Sequence, residues 1–82
     1  MAKDDFERAL QDVKKLSDLS STDLLGLYGL YKQATEGDVS GPKPGLLDIK
    51  GRAKYLAWAE HKGMTQPKAR QSYVDLVKKL SS

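Results

Sequence analysis

The sequence predicts an all-α fold, and three observations carry that prediction. Apolar residues recur at intervals of three and four along four separate segments, which places them on one face of a helix in each segment. Serine, threonine, glycine and proline separate the segments, as expected at helix ends. The chain has 82 residues and no cysteine, so it is sized for one small domain without a disulfide or a thiolate metal site. We therefore expect a four-helix bundle that makes a single domain of residues 1–82.

Charge and hydropathy narrow the classes of partner. The 14 basic and 11 acidic residues give a formal net charge of +3 and are well mixed along the chain. A mild positive charge suits a small anionic ligand better than a long polyanion, which usually needs a concentrated basic stripe. No apolar run reaches the length of a membrane span, and the acidic start MAKDDFER lacks the apolar core of a signal peptide. We expect a soluble cytoplasmic protein without stable membrane insertion and without a nucleic-acid partner.

The first predicted helix covers about residues 4–16. Its apolar stripe consists of Phe6, Ala9, Leu10, Val13 and Leu16. Lys14 and Lys15 lie in its last turn, where positive charge complements the helix dipole. The turn that follows reads SDLSS, so we expect Ser20 or Ser21 to cap the second helix.

The second predicted helix covers about residues 22–36 and has Asp23 in its first turn. Its apolar residues cover more than one face, which indicates either a central position in the bundle or one wall of a groove. Gly26 and Gly29 lie inside it, where each costs about 1 kcal/mol of helix propensity relative to alanine. We interpret both glycines as sites of close backbone packing against a neighbouring helix, in preference to a hinge.

A long connection over about residues 37–48 follows the second helix. Helices in bundles are usually joined by about 2–8 residues, so this connection is long enough to travel the length of the bundle. The second and third helices can then run parallel. Two prolines stiffen the connection, and we expect Leu46, Leu47 and Ile49 to pin its end to the core. The segment is therefore predicted to be an ordered loop.

The third predicted helix covers about residues 49–62, and the fourth begins after the capping residue Thr65 with Pro67 in its first turn. The residues of the third helix expected to face inward are Ala53, Leu56, Ala57 and Trp58. The buried stripe of the fourth is predicted to be Ala69, Tyr73, Leu76, Val77 and Leu80. A ring as large as that of Trp58, among alanines, can fill the space between helices, which predicts a structural role for it.

Three residues of the second predicted helix form an unusual face. Tyr28, Tyr31 and Lys32 have helical spacing, so they share one surface. Phenol rings can stack and hydrogen-bond, and an ammonium group suits phosphate. Lys54 and Tyr73 lie on other predicted helices and can converge on the same surface, which would then suit a ligand with a base and phosphates. The spacing alone fits equally well an ordinary bundle helix with half-buried tyrosines and a solvated lysine.

Nothing in the sequence favours catalysis. His61 is the only histidine and lies in a charged helix end, where it can complement the helix dipole without another role. No metal-binding spacing of histidines or carboxylates is present. The glycine-rich stretch GDVSGPKPG does not have the spacing of a phosphate-binding P-loop and follows a helix instead of a strand. We expect a protein that is not an enzyme and needs neither metal nor cofactor.

Two stretches carry a specific resemblance. They read YGLYKQATEGD over residues 28–38 and PKPGLLDIKGRAKYLAW over residues 42–58, and together they resemble the acyl-CoA-binding protein family. The match continues into the first and last predicted helices at Phe6, Ala9, Val13, Leu16, Tyr73, Val77 and Leu80. It departs at Tyr55, where the family usually has tryptophan, and at Gly26 and Gly29, where larger or more helix-favouring residues are usual.

The resemblance implies a skewed up-down-down-up bundle that binds medium- and long-chain fatty acyl-CoA esters without a covalent bond. It implies a monomeric acyl-CoA-binding domain that acts as an intracellular carrier and pool former in lipid metabolism. The residues it assigns to the ribose 3′-phosphate are Tyr28, Lys32 and Lys54. It assigns Tyr31 and Tyr73 to the adenine region, and Lys14 to the edge of the CoA. Its candidates for the acyl groove are Leu24, Leu25, Ala53 and Leu56.

A second interpretation comes from a different class. The basic faces of a small helical module can also bind a partner helix or a nucleic acid. Response to CoA separates the two interpretations, because an interaction module of that kind would ignore CoA.

Overall fold

The computed structural model of this protein describes the backbone of residues 2–82 and the side chains of residues 5–82. It contains four α-helices and, within the described residues, no strand. The helices are α1 (Ala2–Asp12), α2 (Ser21–Glu36), α3 (Ile49–Ala59) and α4 (Gln66–Ser81). A 3₁₀ turn over Val13–Lys15 extends α1. The all-α prediction is confirmed, with α1 ending as a tighter turn and α3 ending three residues before the predicted boundary.

Local side-chain chemistry explains where the helices begin. Ser20 and Asp23 form a capping box, because the Ser20 hydroxyl accepts the Asp23 N–H at 3.0 Å and the Asp23 carboxylate accepts the Ser20 N–H at 3.3 Å. Asp48 caps α3 by accepting the N–H of Gly51 at 2.9 Å. Thr65 caps α4 as predicted. These caps satisfy N–H groups that have no partner inside the helix.

Contacts between the helices give the direction of each one. From the middle of α2 towards its C-terminal end, Tyr28 contacts Lys54 and then Gly37 contacts Trp58, so α2 and α3 run parallel. The contacts of α2 with α4 run the opposite way, since Gly26 lies near Leu76 and the carbonyl of Ala34 accepts from Gln66. α1 packs along α4. The fold is therefore the expected up-down-down-up bundle, and its long connection spans the bundle from the end of α2 to the start of α3.

The core lies between α1, α2 and α4. Its buried members are Phe6, Ala9, Leu27, Leu30, Ala34, Ala69, Tyr73, Val74 and Val77. α3 joins it by packing on α2, where Gly29 permits the contact: a Cβ at this position would lie 2.8 Å from the carbonyl carbon of Ala57. The prediction of close packing is confirmed at Gly29. It is wrong at Gly26, where an added Cβ would meet only Leu76 at an ordinary 3.6 Å.

Two predictions about burial are wrong. Leu46, Leu47 and Ile49 are 80%, 99% and 78% exposed and do not pin the connection to the core. Hydrogen bonds from α3 fix the connection instead, from Arg52 to the Pro44 carbonyl, from Tyr55 to that of Gly41 and from Trp58 to that of Gly37. Leu56 was expected to face inward but is 46% exposed. α3 instead buries its other side, where Ala57 and Trp58 lie, against α2.

Candidate functional site

α2 and α3 bring together most of the predicted cationic and aromatic residues. The ammonium nitrogen of Lys54 lies 5.6 Å from the centroid of the Tyr28 ring, and that of Lys32 lies 4.7 Å from the centroid of the Trp58 ring. Tyr28 and Lys32 are one helical turn apart on α2, so both lysines lie on the side of the bundle where α2 meets α3. Cation–π contacts of this kind hold an ammonium group over a ring for about 0.5–1 kcal/mol at exposed sites.

Lys32 has a carboxylate partner that sequence reasoning missed. Its ammonium group donates to the carboxylate of Glu36, one turn further along α2. That hydrogen bond is the main cause that raises the pKa of Lys32 above its usual value, so the group stays cationic at neutral pH. An exposed pair of this kind contributes only about 0.2–1 kcal/mol, so an anionic ligand can replace Glu36. The spacing of lysine and glutamate four residues apart is the signal that predicts the pair.

Tyr31 and Tyr73 are linked through a third ring. The Phe6 ring stacks on that of Tyr31 with centroids 6.5 Å apart, and it meets Tyr73 edge-on at 5.4 Å. Tyr31 is 40% exposed, whereas Tyr73 is 4% exposed and belongs to the core. Burial raises the pKa of the Tyr73 phenol, and proximity to Tyr31 adds to that rise. The periodicity of α1 identified Phe6 as a core residue but gave no sign that it joins the two tyrosines.

Lys14 is the predicted site residue that stands apart. It is exposed in the 3₁₀ turn after α1, on a segment that continues the helix packed along α4. Among the side chains of residues 5–82, none forms an ion pair or hydrogen bond with it.

A groove between α2 and α3 continues from the same surface in two connected hollows. The first hollow, of about 290 Å³, is lined by Ser21, Leu24, Leu25, Lys50, Ala53 and Lys54. The second, of about 350 Å³, is lined by Thr22, Leu25, Gly26, Ala53, Leu56, Ala57 and Glu60. Leu25 and Ala53 line both hollows, so the four predicted groove residues all lie along this one groove. Sequence reasoning missed the small residues Gly26 and Ala57, although their spacing beside Ala53 and Leu25 indicates a depression.

A buried amide supports this surface from behind. Gln33 is fully buried, and its side-chain nitrogen donates to the Asp38 carboxylate and to the Met64 carbonyl, both at 2.8 Å. Asp38 also accepts the N–H of Gly63 at 2.8 Å. These donors, Gly63 first and then Gln33, lower the pKa of Asp38 below its usual value. The cluster ties the C-terminal end of α2 to the turn after α3 and so fixes the two helices that carry the site.

Two further kinds of site were searched for over the described residues. In that part of the chain, no group of three or more histidine, aspartate or glutamate side chains is placed to hold a metal ion. In the same part, none of the helices combines the length and the apolar character needed to cross a membrane. His61 is partly buried where α3 ends, with a ring carbon 3.2 Å from the position of a Cβ built on Gly29.

Comparison with known proteins identifies the family of the chain and its fold. A family model described as acyl CoA binding protein matches residues 3–77. Acyl-CoA-binding protein homolog 1 of Caenorhabditis elegans is 47% identical over 76 residues, which cover 92% of this chain and 88% of that protein. The crystal structure of Oryza sativa acyl-CoA-binding protein 2 superposes with a TM-score of 0.95 at 39% identity, covering 99% of this chain and 91% of that one.

A longer relative contains a matching segment. Enoyl-CoA delta isomerase 2 of Rattus norvegicus is 49% identical over 79 residues, but this chain, 95% of which is covered, spans only 20% of that protein. Most of the isomerase therefore has no counterpart in the residues described above. Because the family model covers most of the chain and the nematode and rice proteins match over nearly their full length, this chain belongs to the acyl-CoA-binding protein family.

Proposed function

We propose that this protein binds fatty acyl-CoA esters without a covalent bond and carries them as a soluble pool in lipid metabolism. One observation carries the proposal: Lys54 belongs both to the cationic and aromatic surface and to the apolar groove. Its ammonium group lies over the Tyr28 ring, and its side chain also lines the first hollow. A ligand with an anionic, aromatic head and an apolar tail would therefore find both of its complements in adjoining positions.

The head of the ligand is proposed to bind at the phosphate clamp, by which we mean Tyr28, Lys32 and Lys54. Two ammonium groups and one phenol would surround the ribose 3′-phosphate, which carries nearly two negative charges at neutral pH. Each charge-assisted hydrogen bond contributes about 1.5–3 kcal/mol. The exposed ring of Tyr31, held by Phe6, is the surface on which the adenine would stack.

Tyr73 and Lys14 are proposed to contact the head of the ligand outside the phosphate clamp. Tyr73 lies behind Phe6 and would bound the adenine region, and Lys14 would contact the CoA at the rim. The assignment of Lys14 rests on the family resemblance alone, and that of Tyr73 rests on the resemblance and on its edge-on contact with Phe6.

The tail of the ligand is proposed to lie in the groove between α2 and α3, against Leu24, Leu25, Ala53 and Leu56. Leu24 and Leu56 are 54% and 46% exposed, and a bound acyl chain would cover them. Each methylene group that enters the groove would contribute up to about 0.8 kcal/mol until the groove is full.

The proposal is one of a binding protein and not of an enzyme. The clamp offers charge and hydrogen-bond donors but no nucleophile with an adjacent base, which covalent catalysis would need. The isomerase named above shares only this segment, so its activity is not part of the proposal. We further propose that residues 1–82 act as one monomeric acyl-CoA-binding domain in the cytoplasm, with no cofactor.

Calorimetric titration tests the proposal. Palmitoyl-CoA, free CoA and palmitate are each titrated into the protein, and we expect tight 1:1 binding of the ester with much weaker binding of its two halves. Equal affinity for palmitoyl-CoA and CoA would contradict the groove. Indifference to all three ligands would leave the surface as that of a protein- or nucleic-acid-binding module.

A further inference from the structure

Gly26 is a glycine that the packing of the helices does not require. A Cβ at this position would meet the Leu76 side chain at an ordinary 3.6 Å, whereas one at Gly29 would collide with the backbone of Ala57. The φ angle of Gly26 is not one of the positive angles that favour glycine. Glycine inside a helix costs stability relative to alanine. Gly26 therefore weakens α2 without a gain in packing, which indicates that the space beside it has another use.

That space is the second hollow of the groove, of about 350 Å³. Gly26 and Ala57 line it with almost no side chain, and Leu56 supplies an apolar wall that is 46% exposed. A hollow lined mostly by apolar groups suits an apolar occupant. A larger side chain at position 26 would fill part of the hollow, so its size depends on this glycine.

The two hollows lie on different sides of Leu25. Successive residues of an α-helix are about 100° apart, so Leu24 in the first hollow and Gly26 in the second project from nearly opposite sides of α2, with Leu25 between them. Leu25 and Ala53 line both hollows, and both are half-buried. An acyl chain that leaves the first hollow would therefore pass over these two residues to enter the second.

The first hollow is the one that adjoins the head of the proposed ligand. Lys54 lines it, and the ammonium group of the same residue lies over the Tyr28 ring of the phosphate clamp. The second hollow shares no residue with the clamp and reaches the exposed residues Thr22 and Glu60, where it opens to water. The early carbons of a tail would therefore occupy the first hollow, and only later carbons would reach the second.

We propose that Gly26 sets the chain-length preference of this protein by keeping the second hollow open for the far end of long acyl chains. The identity of the ligand rests on the proposed function, and the continuity of the two hollows identifies the occupant of the second as the end of the same tail. Medium-length chains fill the first hollow alone. Longer chains gain further affinity, up to about fourfold for each methylene group that enters the second hollow.

Titration calorimetry with a series of saturated esters, from octanoyl-CoA to eicosanoyl-CoA, tests the proposal. The wild-type affinity should rise through the long chains. Gly26→Leu fills the second hollow, so the rise should stop at a shorter chain, and the ratio of the affinities for eicosanoyl-CoA and octanoyl-CoA should fall roughly tenfold or more. Gly26→Ala adds only one carbon and should give a smaller fall.

Two exposed leucines give a matched pair of variants that leave the core intact. Leu24 lines only the first hollow and Leu56 only the second, and they are 54% and 46% exposed. Leu56→Ala should lower the ratio of the two affinities, because long chains lose a wall of their far site. Leu24→Ala should weaken both esters and leave the ratio as in the wild-type protein. Should Gly26→Leu fail to fold, as judged by circular dichroism, this pair decides the matter.

The outcomes separate this inference from the proposed function. A ratio that Gly26→Leu and Leu56→Ala leave unchanged would overturn the role of Gly26, and so would an equal change of the ratio in Leu24→Ala and Leu56→Ala. The proposed function would stand in either case, since palmitoyl-CoA would still bind more tightly than CoA. A wild-type protein that binds none of the esters would contradict the proposed function and this inference together.

Discussion

At the scale of single residues, the two lysines of the phosphate clamp hold different partners before any ligand arrives. Lys32 is bound to Glu36 and lies over Trp58, whereas Lys54 lies over Tyr28. Each is therefore already oriented, and under the proposed function an incoming phosphate would replace a weak exposed contact by a charge-assisted one. Such preorganisation lowers the entropy cost of binding.

The clamp predicts how each lysine depends on the 3′-phosphate. Lys32→Ala and Lys54→Ala should each weaken palmitoyl-CoA binding roughly tenfold or more, since a charge-assisted hydrogen bond is lost. Both losses of affinity should be much smaller for palmitoyl-CoA that lacks the 3′-phosphate. Lys68→Ala is the control for the change in net charge. Titration calorimetry with both ligands measures this double-mutant cycle. If replacing a lysine lowers the affinity for the two ligands equally, that lysine does not hold the 3′-phosphate.

Trp58 is the residue whose role we predict to be structural. Its indole is 8% exposed, and its N–H donates to the carbonyl of Gly37 at 2.7 Å. Trp58→Ala should lower the free energy of unfolding in urea by about 3–5 kcal/mol. Trp58→Phe keeps most of the packing and should lose about 1–3 kcal/mol, because the hydrogen bond is gone. Normal stability of the alanine variant together with lost ligand binding would make Trp58 a ligand contact instead.

At the scale of helices, the site depends on how closely α2 approaches α3. The backbone of α3 at Ala57 lies against Gly29, and this approach sets the distance between Tyr28 and Lys54. A wider spacing would separate the two halves of the clamp and would also widen the groove. We therefore expect Gly29 to matter for the proposed site although it offers no functional group.

The two glycines of α2 give a matched pair of variants. In Gly29→Ala the added Cβ would collide with the carbonyl of Ala57, so we expect a stability loss of about 1–3 kcal/mol and weaker ligand binding. Gly26→Ala meets Leu76 at an ordinary 3.6 Å and gains helix propensity, so it should be neutral or up to about 1 kcal/mol more stable. Urea unfolding measures both, and an equal response of the two variants would contradict this account of α2.

At the scale of the whole molecule, the parts that sequence predicts well are those decided by local chemistry. A cap at Ser20 or Ser21 and a cap at Thr65 require only neighbouring residues, and the structure confirms Thr65 and, of the two serines, Ser20. Gly26 and Gly29 look alike in sequence, and only the packing of α3 distinguishes them. Leu46 and Leu47 have the composition of a core segment, but the hydrogen-bonded turn turns them outward.

The candidate site also has a part that local sequence predicts and a part that depends on contacts between helices. Helical spacing predicts that Tyr28, Tyr31 and Lys32 share a face. The contributions of Lys54 and the groove depend on the parallel pairing of α2 and α3, which arises from a connection that spans the bundle. The length of the connection allowed that pairing and the family resemblance implied it, whereas spacing within one helix carries no information about distant contacts. The support that Gln33 and Asp38 give the site was missed for the same reason.

The cluster around Asp38 predicts how the stability of the whole bundle responds to acid. Hydrogen bonds from Gly63 and Gln33 lower the pKa of Asp38 in the folded protein, so its carboxylate stabilises the fold above its unfolded pKa of about 3.9. That contribution is lost as the pH falls through the lower folded pKa, because the protonated form is the weaker acceptor. Asp38→Ala should therefore be less stable than the wild-type protein at neutral pH, and the difference should shrink as the pH falls below about 4.

Thermal unfolding followed by circular dichroism over this pH range measures the difference. Asp75→Ala is the matched control, because it removes an exposed carboxylate from α4 that accepts from Gln71 on the same helix. We expect the stabilities of the wild-type protein and Asp38→Ala to converge at low pH, since the Asp38 carboxylate joins the end of α2 to the turn after α3. A gap between wild type and Asp38→Ala that stays constant from neutral to acidic pH would mean that the charge of Asp38 does not stabilise the fold, and the link between the ends of α2 and α3 would then rest on Gln33 and its bond to Met64.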